Sequence, residues 1–217
     1  MEFTEVVRLR RMVRNYTEDP VDPASIERIV DAAVRAPSAG YSQGQRFVVV
    51  TDPDLRMAVA AAGGEEAYVA DGFDPWISRA PVHIVVCVDM QAYLDRYSEP
   101  DKAGSDGPRS AEVDWEVPFW WVDGGASMMA ILYAAVDEGL AAGFLGAQAF
   151  DDLHAALGIP ADISIVGICT IGHAAPDRRS GSLSRGRVAR THAVHRERWA
   201  KPIGTDLGLR TLDFGET

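Results

Sequence analysis

Arginine side chains gather in two short windows of an otherwise acidic chain. The first window, "RLRRMVRNY" at 8–16, carries four arginines within seven residues. The second, 178–198, carries seven more, so 11 of the 21 lysines and arginines lie in these windows although the net charge is -11. A guanidinium is a planar fork of donors that suits phosphate oxygens, and two distant clusters would meet if they bind one phosphate. Solvated arginines on two separate surfaces are the alternative.

Backbone motifs that cradle phosphates are missing from the sequence. It contains neither G-x-x-x-x-G-K-[ST] nor a G-x-G-x-x-G between a strand and a helix, so side chains would have to hold a phosphate. It also lacks G-x-S-x-G and H-E-x-x-H, and its carboxylates form no obvious pair. We therefore predict no catalytic side chain and no metal site, and we expect a bound cofactor to carry the chemistry.

The composition of the chain limits the classes of partner that it could bind. The negative net charge argues against nucleic acid and against an anionic membrane surface, since both favour a positive protein. No apolar run reaches about 18 residues, so we expect no membrane span. No signal peptide is visible, and Cys87 and Cys169 lie in strand-like apolar runs where buried free thiols are expected. These features predict a cytoplasmic protein that forms one domain over 1–217.

Strand and helix patterns predict an α+β fold in which helices wrap a sheet. Apolar β-rich runs at 46–51, 81–89 and 163–172 predict strands. Thr4 is expected to cap a first helix that ends near Arg11. Further helices are expected after Asp22-Pro23 and Asp52-Pro53, and over "FDDLHAALGIP".

A long helix is predicted from about Val122 to Glu138. Its sequence "GGASMMAILYAAV" has no polar face, which is typical of a helix buried on every side, so we expect a second subunit to cover part of it. The polar stretch 98–113 predicts a mobile loop. The last residues, 199–217, form a C-terminal extension.

Four stretches in order resemble the nitroreductase superfamily of FMN-dependent oxidoreductases. "RRMVRNYTEDPVDPASIERIVDAAVRAPSAGYSQGQRFVVVTD" is similar to the family's opening arginine run, its P-S-x-x-N-x-Q loop and the following strand. "GGASMMAILYAAVDEGLAAGFLGA" resembles its long central helix and the glycine-containing turn after it. "LGIPADISIVGICTIGHAAPD" resembles the strand that ends in G-Y-P, and "RGR" with "HAVHRERW" resembles the closing segment.

The resemblance implies a nitroreductase-like fold, with a central, mostly antiparallel sheet wrapped by helices in an intertwined homodimer. It implies FMN at the subunit interface and NAD(P)H as reductant, with the extension at 199–217 reaching the partner. The apolar helix at 122–138 independently agrees with a dimer.

The resemblance also implies a set of cofactor contacts. Arg10, Arg11 and Arg14 would face the flavin, while Arg185 and Arg187 would close on its phosphate. Arg8 is expected in solvent or in an ion pair with a carboxylate such as Glu5. The other implied contacts come from the first window, the loop after the second helix and the backbone near flavin N5, namely Met12, Pro37, Ser38, Ala39, Gly40, Gln43, Gly146 and Ala147. Of these, Ser38 and Ala39 would line the flavin from the other subunit.

Residues that depart from the family pattern bear on the activity. Met12 stands where a Ser is common, Gly44-Gln45 replaces a common Pro-Trp, and Tyr41 stands where many members have Asn beside the ring. We predict substrate contacts from Tyr41 and from an aromatic roof of Trp115, Phe119 and Trp120, although ordinary packing would also explain those three rings.

The implied function is hydride transfer from NAD(P)H through flavin N5 to a small electrophilic acceptor, such as a nitroaromatic or a quinone, by a ping-pong route. Tyr41 leaves alternatives open. One is cofactor chemistry of another kind, either flavin fragmentation like that of 5,6-dimethylbenzimidazole synthase or use of a deazaflavin. The other is a flavin-storing protein without turnover.

Overall fold

The structure is a computed structural model that describes residues 1–102, 115–146, 150–178 and 180–200. The strands in this part of the chain form one antiparallel sheet. The chain divides into two compact units, 1–177 (the first unit) and 178–217 (the second unit). The sheet lies in the first unit with strand order β1-β2-β4-β3. Its strands are β1 (Gln45–Val50), β2 (Val82–Asp89), β3 (Ala141–Gly146) and β4 (Ile163–Gly172).

The middle strands of the sheet separate two apolar cores. In β2, "VHIVVCVD", alternate residues point to opposite faces, and every residue but the last is buried. Val85 and Cys87 contribute to the core on one face, while Ile84 and Val86 contribute to the core on the other. A strand that is apolar on both faces must be central, which explains its position between β1 and β4.

Helices cover both faces of this sheet. Two of them begin where the sequence predicts, because Asp22 and Asp52 accept hydrogen bonds from amides of their first turns and Pro occupies the next position. The helices of the first unit are α1 (Phe3–Leu9), α2 (Pro23–Val34), α3 (Pro53–Ala62), α4 (Glu65–Ala70), α5 (Trp76–Arg79), α6 (Met90–Ser98), α7 (Phe119–Asp137) and α8 (Asp151–Leu157). A short helix α9 (Arg190–Ala193) lies in the second unit.

The long helix α7 packs on the sheet with one side only. Gly124 allows this approach, since a Cβ there would lie 2.8 Å from a methyl of Val166. The opposite side is not buried within this chain, where Trp121 is 44% and Val122 is 54% exposed. The single chain therefore does not bury this side of the helix, and its cover by a second subunit stays a prediction. By length and composition alone α7 could cross a membrane, a weak indication that core helices of globular proteins also give.

Several elements differ from the sequence prediction. The first helix ends at Leu9 rather than near Arg11, and Glu2 rather than Thr4 stands at its N-cap position. Residues 141–146, predicted as part of a turn, form strand β3. Helices α4, α5 and α6 were not predicted, and α6 runs into the start of the expected 98–113 loop. Most of that loop and of the 199–217 extension lies outside the described residues.

The C-terminal end of α7 is tied to α2 by a bidentate ion pair. Arg28 donates from Nε and Nη2 to the carboxylate of Glu138 at 2.7 and 2.6 Å, and the Ser25 hydroxyl donates to the same carboxylate at 2.9 Å. The Arg28 hydrogen bonds lower the pKa of Glu138 to about 2, below the ordinary 4.5.

We predict that Glu138→Gln destabilises the protein at pH 7 and that the difference from wild type vanishes in acid. A carboxyl whose folded pKa is depressed stabilises the fold above its unfolded pKa, and this contribution is lost as pH falls through the folded pKa. The gap in free energy of unfolding should therefore shrink between pH 4.5 and about 2. Denaturant unfolding across this range measures it, with Glu27→Gln, an exposed carboxylate of α2, as control. A constant gap would contradict the account.

Candidate functional site

The first arginine window is extended chain rather than helix from Arg10 onward. Met12 forms a parallel bridge with Ala142 of β3, and the Val13 amide donates to the Ala142 carbonyl at 3.0 Å. Tyr16 then forms an antiparallel bridge with Ala174, just beyond β4. The segment from Met12 to Tyr16 (the arginine segment) is thus bridged at one end to β3 and at the other end to the residues just after β4, which fixes its backbone.

A glycine and a buried phenol allow the arginine segment to lie against the sheet. A Cβ at Gly143 would lie 2.5 Å from the Val13 carbonyl oxygen and 3.1 Å from the Tyr16 hydroxyl, so only glycine fits. The Tyr16 hydroxyl lies 2.8 Å from Thr170 Oγ1. Burial raises the pKa of Tyr16 above its ordinary value, so the phenol stays neutral.

The arginines of the first window differ in their partners. Arg8 lies 4.0 Å from Glu5, which confirms the expected ion pair. Arg11 pairs with Asp177 at 2.9 Å, and the same carboxylate accepts the Arg14 amide at 3.0 Å. Arg10 and Arg14 are half-buried and form no ion pair with any residue that the structure describes. Within this window Arg10 and Arg14 are therefore the half-buried cations that remain available to an anion.

Asn15 holds the arginine segment from below, a role that the sequence analysis missed. Its amide donates to the Pro176 carbonyl at 2.8 Å and to Asp74 at 3.3 Å. Its carbonyl oxygen accepts from Arg79 at 3.0 Å and from the Tyr16 amide at 3.1 Å. A buried Asn with its hydrogen bonds satisfied fixes the chain on which Arg14 stands. The one signal in the sequence was its spacing: Asn15 stands two residues after the apolar Val13, at a position that points to the same side of an extended chain.

The predicted flavin loop, Pro37 to Gln43, has an unusual backbone. It contains a single 3-10 turn, Ala39–Tyr41, and φ is +63°, +59° and +50° at Gly40, Tyr41 and Gln43. Glycine adopts this region freely, whereas Tyr and Gln do so at a cost of about 1 kcal/mol or more each. The Tyr41 side chain is 76% exposed, so its conformation is not explained by burial in this chain.

The three aromatic residues predicted to roof a substrate slot pack mainly on other rings. Trp115 makes edge contacts with Tyr97 and Trp120, with ring centroids 4.9 and 5.4 Å apart, and Trp120 contacts Tyr93 at 6.0 Å. Phe119 contacts Trp115 at 6.1 Å and is partly exposed. These contacts support α6 against α7, while the roof over a substrate stays a prediction.

A cavity of about 420 Å³ opens where β3 ends at Gly146. Its volume falls within the ordinary range of small-molecule sites, about 300–1,000 Å³. Small and apolar residues dominate the wall, which Tyr68 and Asp71 complete; the other lining residues are Ala62, Gly63, Gly64, Ala67, Leu145, Gly146 and Phe150. Gly146 thus borders a cavity, and its contact with a flavin stays a prediction, while Ala147 lies outside the described residues.

The titratable side chains of the core are structural. His83 is fully buried with Nε2 2.7 Å from the Ile77 carbonyl oxygen, and burial lowers its pKa to about 4, so it is neutral and donates that bond. Cys87 and Cys169 are buried free thiols, as predicted, and burial raises the pKa of both, that of Cys87 to about 11. Within the described ranges no group of His, Cys, Asp or Glu could hold a metal ion.

The second unit carries the other predicted phosphate ligands. Arg185 ends a 3-10 turn, Gly181–Arg185, and Arg187 follows Gly186, whose φ is +67°. Both arginines are exposed and neither forms an ion pair with a described residue. Their convergence with Arg10 and Arg14 on one phosphate stays a prediction.

Comparisons with known proteins agree on one family and one fold. The sequence profile of the Nitroreductase family matches residues 7–173. An NADH dehydrogenase of Thermus thermophilus is 28% identical over 181 residues, which are 77% of this chain and 84% of that protein. A solved nitroreductase family protein of Clostridium novyi NT has a TM-score of 0.63 at 21% identity and covers 93% of this chain and 97% of its own. An FMN-dependent nitroreductase of Clostridium difficile R20291 has a TM-score of 0.65 at 18% identity, with 89% and 98% covered.

We predict that Gly143→Ala displaces the arginine segment and lowers the free energy of unfolding by about 1–3 kcal/mol, because the added methyl meets backbone that cannot yield cheaply. Gly181→Ala is the matched control, since a Cβ there would have no neighbour within 4 Å. Denaturant unfolding of both variants checks this. Equal stability of the two variants would show that the sheet does not need glycine at 143.

Proposed function

We propose that this chain, which belongs to the nitroreductase family, binds FMN and transfers hydride from NAD(P)H to a small electrophilic acceptor such as a nitroaromatic or a quinone. One observation carries the proposal. Arg14 stands on the segment that is bridged to β3, and Arg10 lies two residues before that segment at the end of α1. Both are half-buried and have no carboxylate partner among the described residues, and the far end of β3 borders the 420 Å³ cavity. A ligand with a phosphate near one end of β3 and a flat ring near the other end would match these features, and flavin mononucleotide is such a ligand.

The residues present fit that group. Arg10 and Arg14 would supply positive charge for a phosphate dianion. Arg11 contributes less, because Asp177 already neutralises it. The small residues on the cavity wall leave room for a planar ring beside Gly146. Met12 packs against the apolar core, so we expect backbone rather than side-chain contact there.

Bound FMN would supply the redox chemistry, accepting hydride at N5 and delivering it to the acceptor. The protein's own residues bind, orient and exclude water. The amide of Gly146 would orient the ring, and the buried, neutral His83 and the protonated thiols would take no part. We propose ping-pong kinetics, in which the nicotinamide leaves before the acceptor takes its place against the flavin.

We also propose that the active form is a homodimer. Trp121 and Val122 of α7 and the nearby Tyr41 are large apolar side chains that the single chain leaves exposed. Burying them against a second copy would remove an unfavourable apolar surface from water. The free buried thiols accord with a reducing, cytoplasmic location, which we propose as well.

Anaerobic mixing with NADH or NADPH tests the activity. The purified protein should carry FMN absorbance that bleaches with a nicotinamide and returns with a nitroaromatic or quinone. Tyr41 leaves three other outcomes open, which further readings of the same protein separate. Loss of bound flavin in air with a benzimidazole product would favour fragmentation, and absence of bleaching with either nicotinamide would favour storage. A protein that ignores FMN but binds a deazaflavin would indicate that cofactor instead.

We predict that Arg10→Ala and Arg14→Ala each raise the Kd for FMN about tenfold or more, because each removes a charge-assisted bond to phosphate worth about 1.5–3 kcal/mol. Arg8→Ala is the matched control and should bind FMN as wild type does, since Arg8 is exposed and faces Glu5. Flavin fluorescence titration measures these constants. A larger loss with Arg8→Ala than with Arg10→Ala would mean that the assignment of the arginines is wrong.

A further inference from the structure

A buried carboxylate of α7 holds the loop from Ser38 to Gln43 (the left-handed loop). Asp123 is only 7% exposed. Its Oδ2 accepts the Ala39 amide at 2.8 Å and the hydroxyl of the fully buried Tyr93 at 2.9 Å. No cation of the described chain forms an ion pair with this carboxylate, so these neutral donors are what stabilise its charge.

An arginine of α6 holds the next residue of the same loop. Arg96 Nε donates to the Gly40 carbonyl at 2.8 Å. Its remaining nitrogens are engaged by Glu99 at 3.0 Å and by Asp101 at 2.8 Å, so the guanidinium is fixed in orientation. The Tyr97 ring closes the space above the loop, since a Cβ on Gly40 would lie 2.9 Å from it.

These anchors grip the loop just before its strained residues. Within the loop the Ser38 hydroxyl accepts the Gln43 amide at 2.9 Å, which closes it around Tyr41 and Ser42. A positive φ at Tyr and Gln persists only when the surroundings over-determine it, and such strain concentrates at binding sites. A buried carboxylate without a cation is also costly. The backbone strain and the buried charge of Asp123 thus both serve to hold one loop, and the side chain of its residue Tyr41 is exposed to solvent.

We propose that Asp123 and Arg96 are positioning residues of the flavin site, which hold the left-handed loop in its strained conformation so that it is preset for FMN. The inference rests on the proposed function, because the loop's contact with FMN is part of that proposal. A preset loop does not have to be ordered when the cofactor binds, so its anchors add affinity without touching the cofactor.

FMN titration of matched variants tests the proposal. Asp123→Ala removes both hydrogen bonds and should raise the Kd for FMN about tenfold, as expected for losing a bond to a charged group. Asp123→Asn keeps an oxygen that can accept both donors and should restore the affinity to within about threefold of wild type. Glu138→Ala, at the other end of α7, is the control for general destabilisation and should bind FMN normally.

A second variant covers the case in which Asp123→Ala does not fold. Arg96→Met keeps the aliphatic stem but loses the bond to the Gly40 carbonyl, and it should also weaken FMN binding. Three results would overturn the positioning role while leaving the proposed function intact. The first is wild-type affinity in both Asp123→Ala and Arg96→Met. The others are equal losses of affinity in Asp123→Ala and Asp123→Asn, or in Asp123→Ala and Glu138→Ala. A wild-type protein that binds no FMN would overturn both.

Discussion

The close approach of the arginine segment to the sheet is the constraint on which the site depends. Because Gly143 has no side chain, the Val13 carbonyl and the Tyr16 hydroxyl can occupy the space in front of β3. The bond from Val13 to Ala142 and the bridge from Tyr16 to Ala174 then fix the segment at both of its ends. Arg14 therefore projects from a backbone that is held in place, and Arg10 lies two residues before it at the end of α1, where its amide donates to the Val6 carbonyl.

The ion pairs of this protein, rather than its net charge, determine which arginines are available to an anion. Asp177 takes up Arg11, Glu5 faces Arg8 and Glu138 takes up Arg28. A net charge of -11 leaves ample carboxylates for the remaining arginines, yet Arg10 and Arg14 have none among the described residues. Asp123 is the corresponding case for a carboxylate, because it is buried and accepts hydrogen bonds from neutral donors. Unpaired charge thus marks both the proposed phosphate site and the loop that would face the ring.

Local signals in the sequence predicted the elements that local interactions decide. Asp22 and Asp52 cap α2 and α3 within a few residues, and β2 and β4 are apolar enough to be recognised alone. Strand β3, "AAGFLG", is small and glycine-rich and becomes a strand only by pairing with β4. Contacts between distant positions could not be predicted: Asp177 lies 166 residues from Arg11, and Asp123 lies 84 from Ala39. The arginines were identified as candidates, but their partners decided which of them are free.

The central claim, that Arg10 and Arg14 await a flavin phosphate, is tested most directly by comparing FMN with riboflavin, which lacks the phosphate. Titration of the wild-type protein and of Arg10→Ala with both compounds isolates the contribution of that group. The account predicts that wild type binds FMN at least tenfold more tightly than riboflavin, that this preference shrinks in Arg10→Ala and that the riboflavin affinity barely changes. Equal affinity of wild type for the two compounds, or a preference for FMN that survives in the variant, would contradict it.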